Sequence, residues 1–278
     1  ELGMESMAIT DHGVMFGVID FYKACKANDI KPIIGCEVYV APRKRTDKDP
    51  SLDAKYNHLI LLAKNNEGYK NLTQLVSLGF TEGYYYKPRI DKEILEKYHE
   101  GLVCLSACLA GEIPSKIYAG DINGAKESAL WFKNLFGDDY YLEIQNNGIK
   151  EQIAVNQKLV EMSRELDIPL VATNDSHYLR KEDAYNHEVL LCIQTGKKMS
   201  DEDRMRFETD ELYIKSQEEM MEYFKNVPEA IENTIKIAEK CNVEFEFGHT
   251  ILPNYEVPAE FKTHFEYLKK LTDDGIRN

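Results

Sequence analysis

Five short runs collect the side chains that bind metals: TDHG at residues 10–13, GCE at 35–37, NH at 57–58, SAC at 106–108 and NDSH at 174–177. They supply His12, Glu37, His58, Cys108, Asp175 and His177. Imidazole, thiolate and carboxylate in one set suit Zn, Mn or Fe more than Mg or Ca. The chemistry such a site points to is hydrolysis.

Spread over some two-thirds of the chain, these residues can meet only if the fold gathers them. Strand-like runs at 7–10, 33–40, 58–63, 102–105, 140–144 and 170–173 alternate with helical patterns at 14–28, 67–78, 91–98, 123–136 and 151–166, the spacing of βα units. In an α/β barrel, ligands gather at the C-terminal ends of the strands. His12, Cys108, Asp175 and His177 each follow a strand and fit one such mouth. His58 begins its run instead, which suits a strand antiparallel to 33–40, with Glu37 then facing the same mouth.

Each residue has a plainer reading. A histidine at a strand end is commonly structural, and Cys108 in an Ala- and Leu-rich run is by type a small buried hydrophobe. Glu37 resists that reading, because a carboxylate amid PIIG and VYV is costly to bury without a partner. Asp175 and His177, two apart on an extended segment, would share a face. His99, His187, His249 and His264 have no such company and read as structural or solvent-facing.

Helical patterns continue at 182–195, 217–225, 229–241 and from about 261. The expected organisation is a barrel core over 1–180 and a helical extension and linker over 181–278. The loop 42–55, with Arg43, Lys44 and Arg45 among acids, reads as solvated. In YYYKPR at 84–89, Arg89 or Lys87 could neutralise a phosphate while a tyrosine stacks on a base. The bland alternative is an aromatic cluster beneath a loop.

With 278 residues, 43% hydrophobic and 29% charged, the chain can bury a proper core. Six cysteines without paired spacing indicate a reducing, cytoplasmic setting. No apolar run approaches the roughly 18 residues of a membrane span, so no membrane association is expected. The net charge of -14 opposes phosphate backbones at long range. Chemistry on nucleic acid would therefore need local cations, metal ions or a neighbouring domain.

TDHG, GCEVYV, NHLILLA, LSACLAGE and NDSHYL, in this order and at these intervals, resemble the PHP domain, the polymerase and histidinol phosphatase family. AITDHGVMFGVIDFYKACK and NDSHYLRKEDAYNHEVLLCIQTGK are similar in detail to the branch carried by alpha subunits of bacterial replicative DNA polymerases. The resemblance implies a distorted seven-unit β/α barrel holding up to three divalent ions, Zn or Mn with Fe also accepted. It implies that Glu37 bridges two of them, one also taking Asp175 and the other His58 and Cys108, while His12 and His177 hold a third. Glu37, Asp175 and His177 would stand at the catalytic centre. Asp11 and Asn174 would fix a ligand imidazole, or equally cap the following turns.

The family opens with a strand ending in His-x-His and an acidic residue on the next loop, and neither precedes Thr10 here. The expectation is thus an N-terminally truncated fragment with its first strand missing and fewer ions bound. For the parent, the resemblance implies DNA synthesis in replication, with a metal-dependent 3′ to 5′ exonuclease at this site acting on the primer 3′ end. The alternative is a non-catalytic domain that braces the polymerase and docks a proofreading subunit. DNA and other subunits of the replicative polymerase are the partners it implies.

Overall fold

The computed structural model describes residues 2–250 and 252–277. Its organising element is β2 (Lys31–Val40), in which every residue after the first is buried. KPIIGCEVYV is apolar on both faces, as a strand covered on both sides must be. Along one edge it pairs in parallel with β1 (Ser6–Ile9) and then, at Tyr39 and Val40, with β4 (Arg89–Ile90). Along the other it runs antiparallel to β3 (Asn57–Ala63). β3 is antiparallel to β5 (Leu102–Leu105), which continues in parallel through β6 (Tyr140–Gln145) to β7 (Leu170–Thr173). The order β1-β2-β3-β5-β6-β7, with β4 beside β2, is a curled, open, half-barrel sheet of seven strands.

Helices α1 (Val18–Ala27), α2 (Asn66–Thr81), α3 (Lys92–Lys97), α5 (Ile122–Phe136) and α6 (Lys150–Leu166) alternate with the strands. The side chains of Asn65, Asp91 and Asp121 cap α2, α3 and α5 by accepting from Gly68, Ile94 and Gly124 amides. Helix α4 (Glu112–Tyr118) falls where the sequence pattern gives no helix, with Pro114 in its first turn. No amide there needs an intrahelical acceptor. The start of α1 falls four residues later than the pattern suggests, after a turn through Gly13 and Gly17.

The helical extension comprises α7 (Ala184–Thr195), α8 (Gln217–Tyr223) and α9 (Pro228–Lys240). Ile237, Ala238 and Cys241 join Ile33, Val103 and Val171 in the core, and Asn233 donates to the Leu170 carbonyl at 2.8 Å. One compact unit therefore runs over Glu1–Glu244, past the expected boundary at residue 180. The second unit, Phe245–Asn278, contains α10 (His264–Arg277), with Tyr255 stacked on Tyr267 at 6.0 Å. No described helix is long and apolar enough to cross a membrane.

The loop 42–55 is not the loosely solvated segment its composition suggests. Arg43 pairs with the buried Asp53 at 2.6 Å, and Arg45 pairs with Glu82 and with Asp91. These pairs fasten it to the start of α3 and the end of α2.

Candidate metal centre

Glu37 lies in mid-β2 and is 5% exposed. Its Oε1 is 2.6 Å from Nδ1 of His12 and 2.7 Å from Nδ1 of His58. Each imidazole arrives by a different backbone route. Beyond β1, the chain re-pairs at His12 opposite Glu37, with Gly13 N donating to Glu37 O at 2.8 Å. Gly13 has φ +68, and a Cβ there would stand 2.7 Å from Cε2 of Tyr39, so this return needs glycine. In β3, Ile60 is opposite Glu37 and His58 opposite Tyr39. The two-residue period puts Glu37 and His58 on one face as diagonal neighbours. The antiparallel strand expected for His58 is thus present, and it brings a residue at a strand's beginning to the same place as one in mid-strand.

The other expected residues continue outward from this pair. Sγ of Cys108 is 3.6 Å from Nδ1 of His58. Cys108 sits in the turn after β5, where Ala107 has φ +63 and Gly111 donates to the Cys108 carbonyl at 2.8 Å. Rings of His12 and His177 are 6.1 Å apart, and Nδ1 of His177 is 3.9 Å from Oδ1 of Asp175. All six side chains therefore form one chain of neighbours, while the donor atoms of His12, Glu37 and His58 lie within 4.8 Å of one another. Asp175 and His177 are not on an extended segment. Asp175 has φ +48 and its carbonyl accepts from, or lies beside, His177 Nδ1 at 2.9 Å. A tight turn, not strand alternation, brings the two together.

Electrostatics mark Glu37 as the fixed charge. Burial works against its carboxylate, but the His12 and His58 hydrogen bonds outweigh that and hold its pKa at about 2. The bond to Glu37 raises His12 in return. Burial, reinforced by the Glu37 charge, pushes Asp175 up, and burial does the same to the Cys108 thiol. A further carboxyl missed in the sequence, Glu143 on β6, is raised to about 7, chiefly by burial. Its Oε1 accepts from Thr173 and Gln145, and its Oε2 is buried without a protein partner. The only sequence sign was an acid inside the apolar run YYLEI.

Arg89 is corrected. It is 0% exposed, and its guanidinium donates to the carbonyls of Gly83, Asp53, Arg45 and Asp47 at 2.8–3.1 Å. It holds the 42–55 loop and is unavailable to a phosphate. Lys87, by contrast, is half-buried beside the cluster, with Nζ 5.7 Å from the centre of the Tyr39 ring. Tyr39 in turn meets Tyr56 edge-on at 4.8 Å and stacks on His12 at 6.5 Å. Asp11 contributes its backbone carbonyl, accepting from Glu37 N at 3.1 Å. Asn174 Nδ2 donates to Tyr213 O at 2.8 Å and to Ser176 Oγ at 3.0 Å, so among the described residues it is turned away from the imidazoles it was expected to fix. His187, read as partnerless, lies edge-on to His177 at 5.5 Å and stacks on Phe207 at 5.7 Å.

A half-barrel sheet that gathers histidines around a buried glutamate is the setting of a PHP domain, and the profile of that family matches residues 1–147. The chain belongs to the PHP domain family. It is similar to DNA polymerase III subunit alpha of Borreliella burgdorferi, with 54% identity over 99% of this chain and 24% of the relative. The subunit from Treponema pallidum is 46% identical over 99% of this chain and 24% of its own length. That from Thermus aquaticus is 44% identical over 98% and 23%. The chain thus spans about a quarter of the length of the curated relatives it matches.

Proposed function

We propose that this chain is the PHP region of a bacterial replicative polymerase alpha subunit, and that its centre performs metal-dependent phosphodiester hydrolysis, trimming the primer 3′ end. One observation carries the reading: two imidazoles, one just past β1 and one on β3, converge on a single oxygen of a buried, ionised Glu37. Three convergent donors, two imidazole nitrogens and one carboxylate oxygen, suit a cation. Imidazole and carboxylate together favour Zn or Mn, with Fe acceptable. When bound, a divalent ion supplies a lowered pKa for water and polarisation of a phosphoryl oxygen.

In this reading His12, Glu37 and His58 hold one ion, Cys108 extends the set beside His58, and Asp175 with His177 faces it across the His12 ring. Glu37 provides the shared negative charge. Asp175, its carboxyl raised by burial, is placed to take up a proton as water is consumed. Lys87 neutralises the substrate phosphate, and Tyr39 keeps that ammonium in position by cation–π contact. DNA synthesis by the longer protein, a cytoplasmic location and other replicative subunits as partners belong to the same proposal; the relatives' names support the first, and six free thiols suit a reducing interior. A bracing role is the second reading, favoured by α7, which leaves Leu190 and Ile193 exposed.

The test is release of 3′-terminal nucleotides by the intact, longer protein and by its Glu37→Ala variant, with polymerase activity followed in parallel. Loss of release with synthesis retained supports hydrolysis here. Undiminished release removes it, and collapse of both activities favours bracing.

A further inference from the structure

The loop after β7 carries Asp175 and His177 yet has no regular structure of its own until residue 181. Its polar backbone groups bond elsewhere. His177 N and Tyr178 N donate to Leu212 O at 2.8 and 3.3 Å, and Ile214 N donates to Leu179 O at 3.3 Å. Leu212 N donates to Tyr178 Oη at 3.2 Å, and Asn174 Nδ2 to Tyr213 O at 2.8 Å. Upstream, Thr209 Oγ1 donates to Asn147 O at 2.6 Å, so one irregular segment is stitched to the loops after both β6 and β7.

An irregular segment can position another only if it is itself fixed. Leu212 and Lys215 are each 1% exposed. Lys215 Nζ donates to Glu211 O, lies 3.6 Å from the Glu211 carboxylate, and stands 4.4 and 5.7 Å from the ring centres of Tyr213 and Tyr223. Glu211 also receives Lys181, just past the site loop, and Tyr223 Oη at 3.2 Å. A buried ammonium is tolerated only with such partners. Here they come from the segment itself, from α8 and, through Glu211, from the far end of the site loop.

We propose that residues 209–216 form a strap that positions Asp175 and His177, with Lys215 as its anchor. Lys215 and Leu212 are positioning residues, acting on the centre through the backbone of His177 and Tyr178. The consequence for metal binding rests on the proposed ligand role of Asp175 and His177; the mechanical coupling does not.

The experiment is hydrogen exchange on the metal-free chain, comparing wild type with Lys215→Met, which keeps the stem and removes the charge. Amides of 176–180 and 212–214 are expected to exchange several-fold faster while β2 and β3 amides stay protected. Mn2+ affinity, measured separately, is expected to fall roughly tenfold or more, as when a ligand's supporting contacts are lost. Unchanged loop exchange, or a uniform rise across the sheet, overturns the strap. Faster loop exchange with unaltered Mn2+ affinity upholds the strap and removes Asp175 and His177 from the ligand set. Should Lys215→Met fail to fold, Tyr178→Phe, which removes the acceptor of Leu212 N, must give the same local pattern.

Discussion

Nδ1 of His12 lies 2.6 Å from Oε1 of Glu37, and His12, past the end of β1, is also a backbone partner of Glu37 in β2. The pairing keeps the offset of the strands before it, in which Ile9 faces Ile34. The contact is therefore set by sheet register. The His12 side chain is still 53% exposed, so one side of the cluster is open to a ligand.

Register of this kind gives an acid limb to stability. Glu37 is held at about 2 against its ordinary value of 4.5, so the unfolded chain takes up a proton first as pH falls. The stabilisation is complete above about pH 4.5 and is lost as pH drops towards 2; it amounts to on the order of 3 kcal/mol. Urea titrations of the metal-free chain at stepped pH should show this slope, and Glu37→Gln should flatten it.

Glu143 works with the opposite sign. Its folded pKa of about 7 exceeds the ordinary 4.5, so the folded state keeps a proton the unfolded state has lost, and stability declines as pH rises from about 4.5 to 7. Glu143→Gln keeps the acceptor for Thr173 and Gln145 without that charge. At pH 8 its metal-free form should unfold at a higher denaturant concentration than wild type, and at pH 4 the two should coincide.

Arg89 and Lys87 separate fold from site. Arg89→Met strands four carbonyl acceptors and should cost on the order of 3 kcal/mol or more in urea unfolding. Lys87→Ala should leave stability within about 0.5 kcal/mol and weaken binding of a 3′-phosphorylated or single-stranded oligonucleotide. Equal stability losses for the two variants would contradict this division.

Gly13→Ala asks whether the return of the chain at His12 matters. With φ +68 and Tyr39 2.7 Å from the added carbon, the variant should lose about 1–2 kcal/mol and bind Mn2+ more weakly. An unchanged metal titration would show that His12 is not held by this turn.

Much of this was legible in the sequence where one strong physical rule applied. A carboxylate inside PIIGCEVYV is costly to bury without a partner, and an apolar run beginning at His58 suited an antiparallel strand. Arg89 was misread because YYYKPR shows only its neighbours in sequence; its partners at 45, 47, 53 and 83 are set by a loop closing over it. Helix α4 was not legible because it is only seven residues long and has no side-chain cap at Gly111. His187 has no local signal linking it to His177, since α7 folds back only through tertiary packing. The Asp175 turn depends on residues 209–216, more than 30 positions downstream, which no local pattern encodes.

The central claim is that Glu37 gathers donors for a divalent ion. Equilibrium dialysis against Mn2+ and Zn2+, with metal per chain read by mass spectrometry, tests it on wild type and Glu37→Gln. At least one tightly held ion per wild-type chain is expected, with affinity in the variant reduced by more than the roughly 10–100-fold that loss of a supporting contact causes. Equal binding by the two proteins, or none by either, would contradict it.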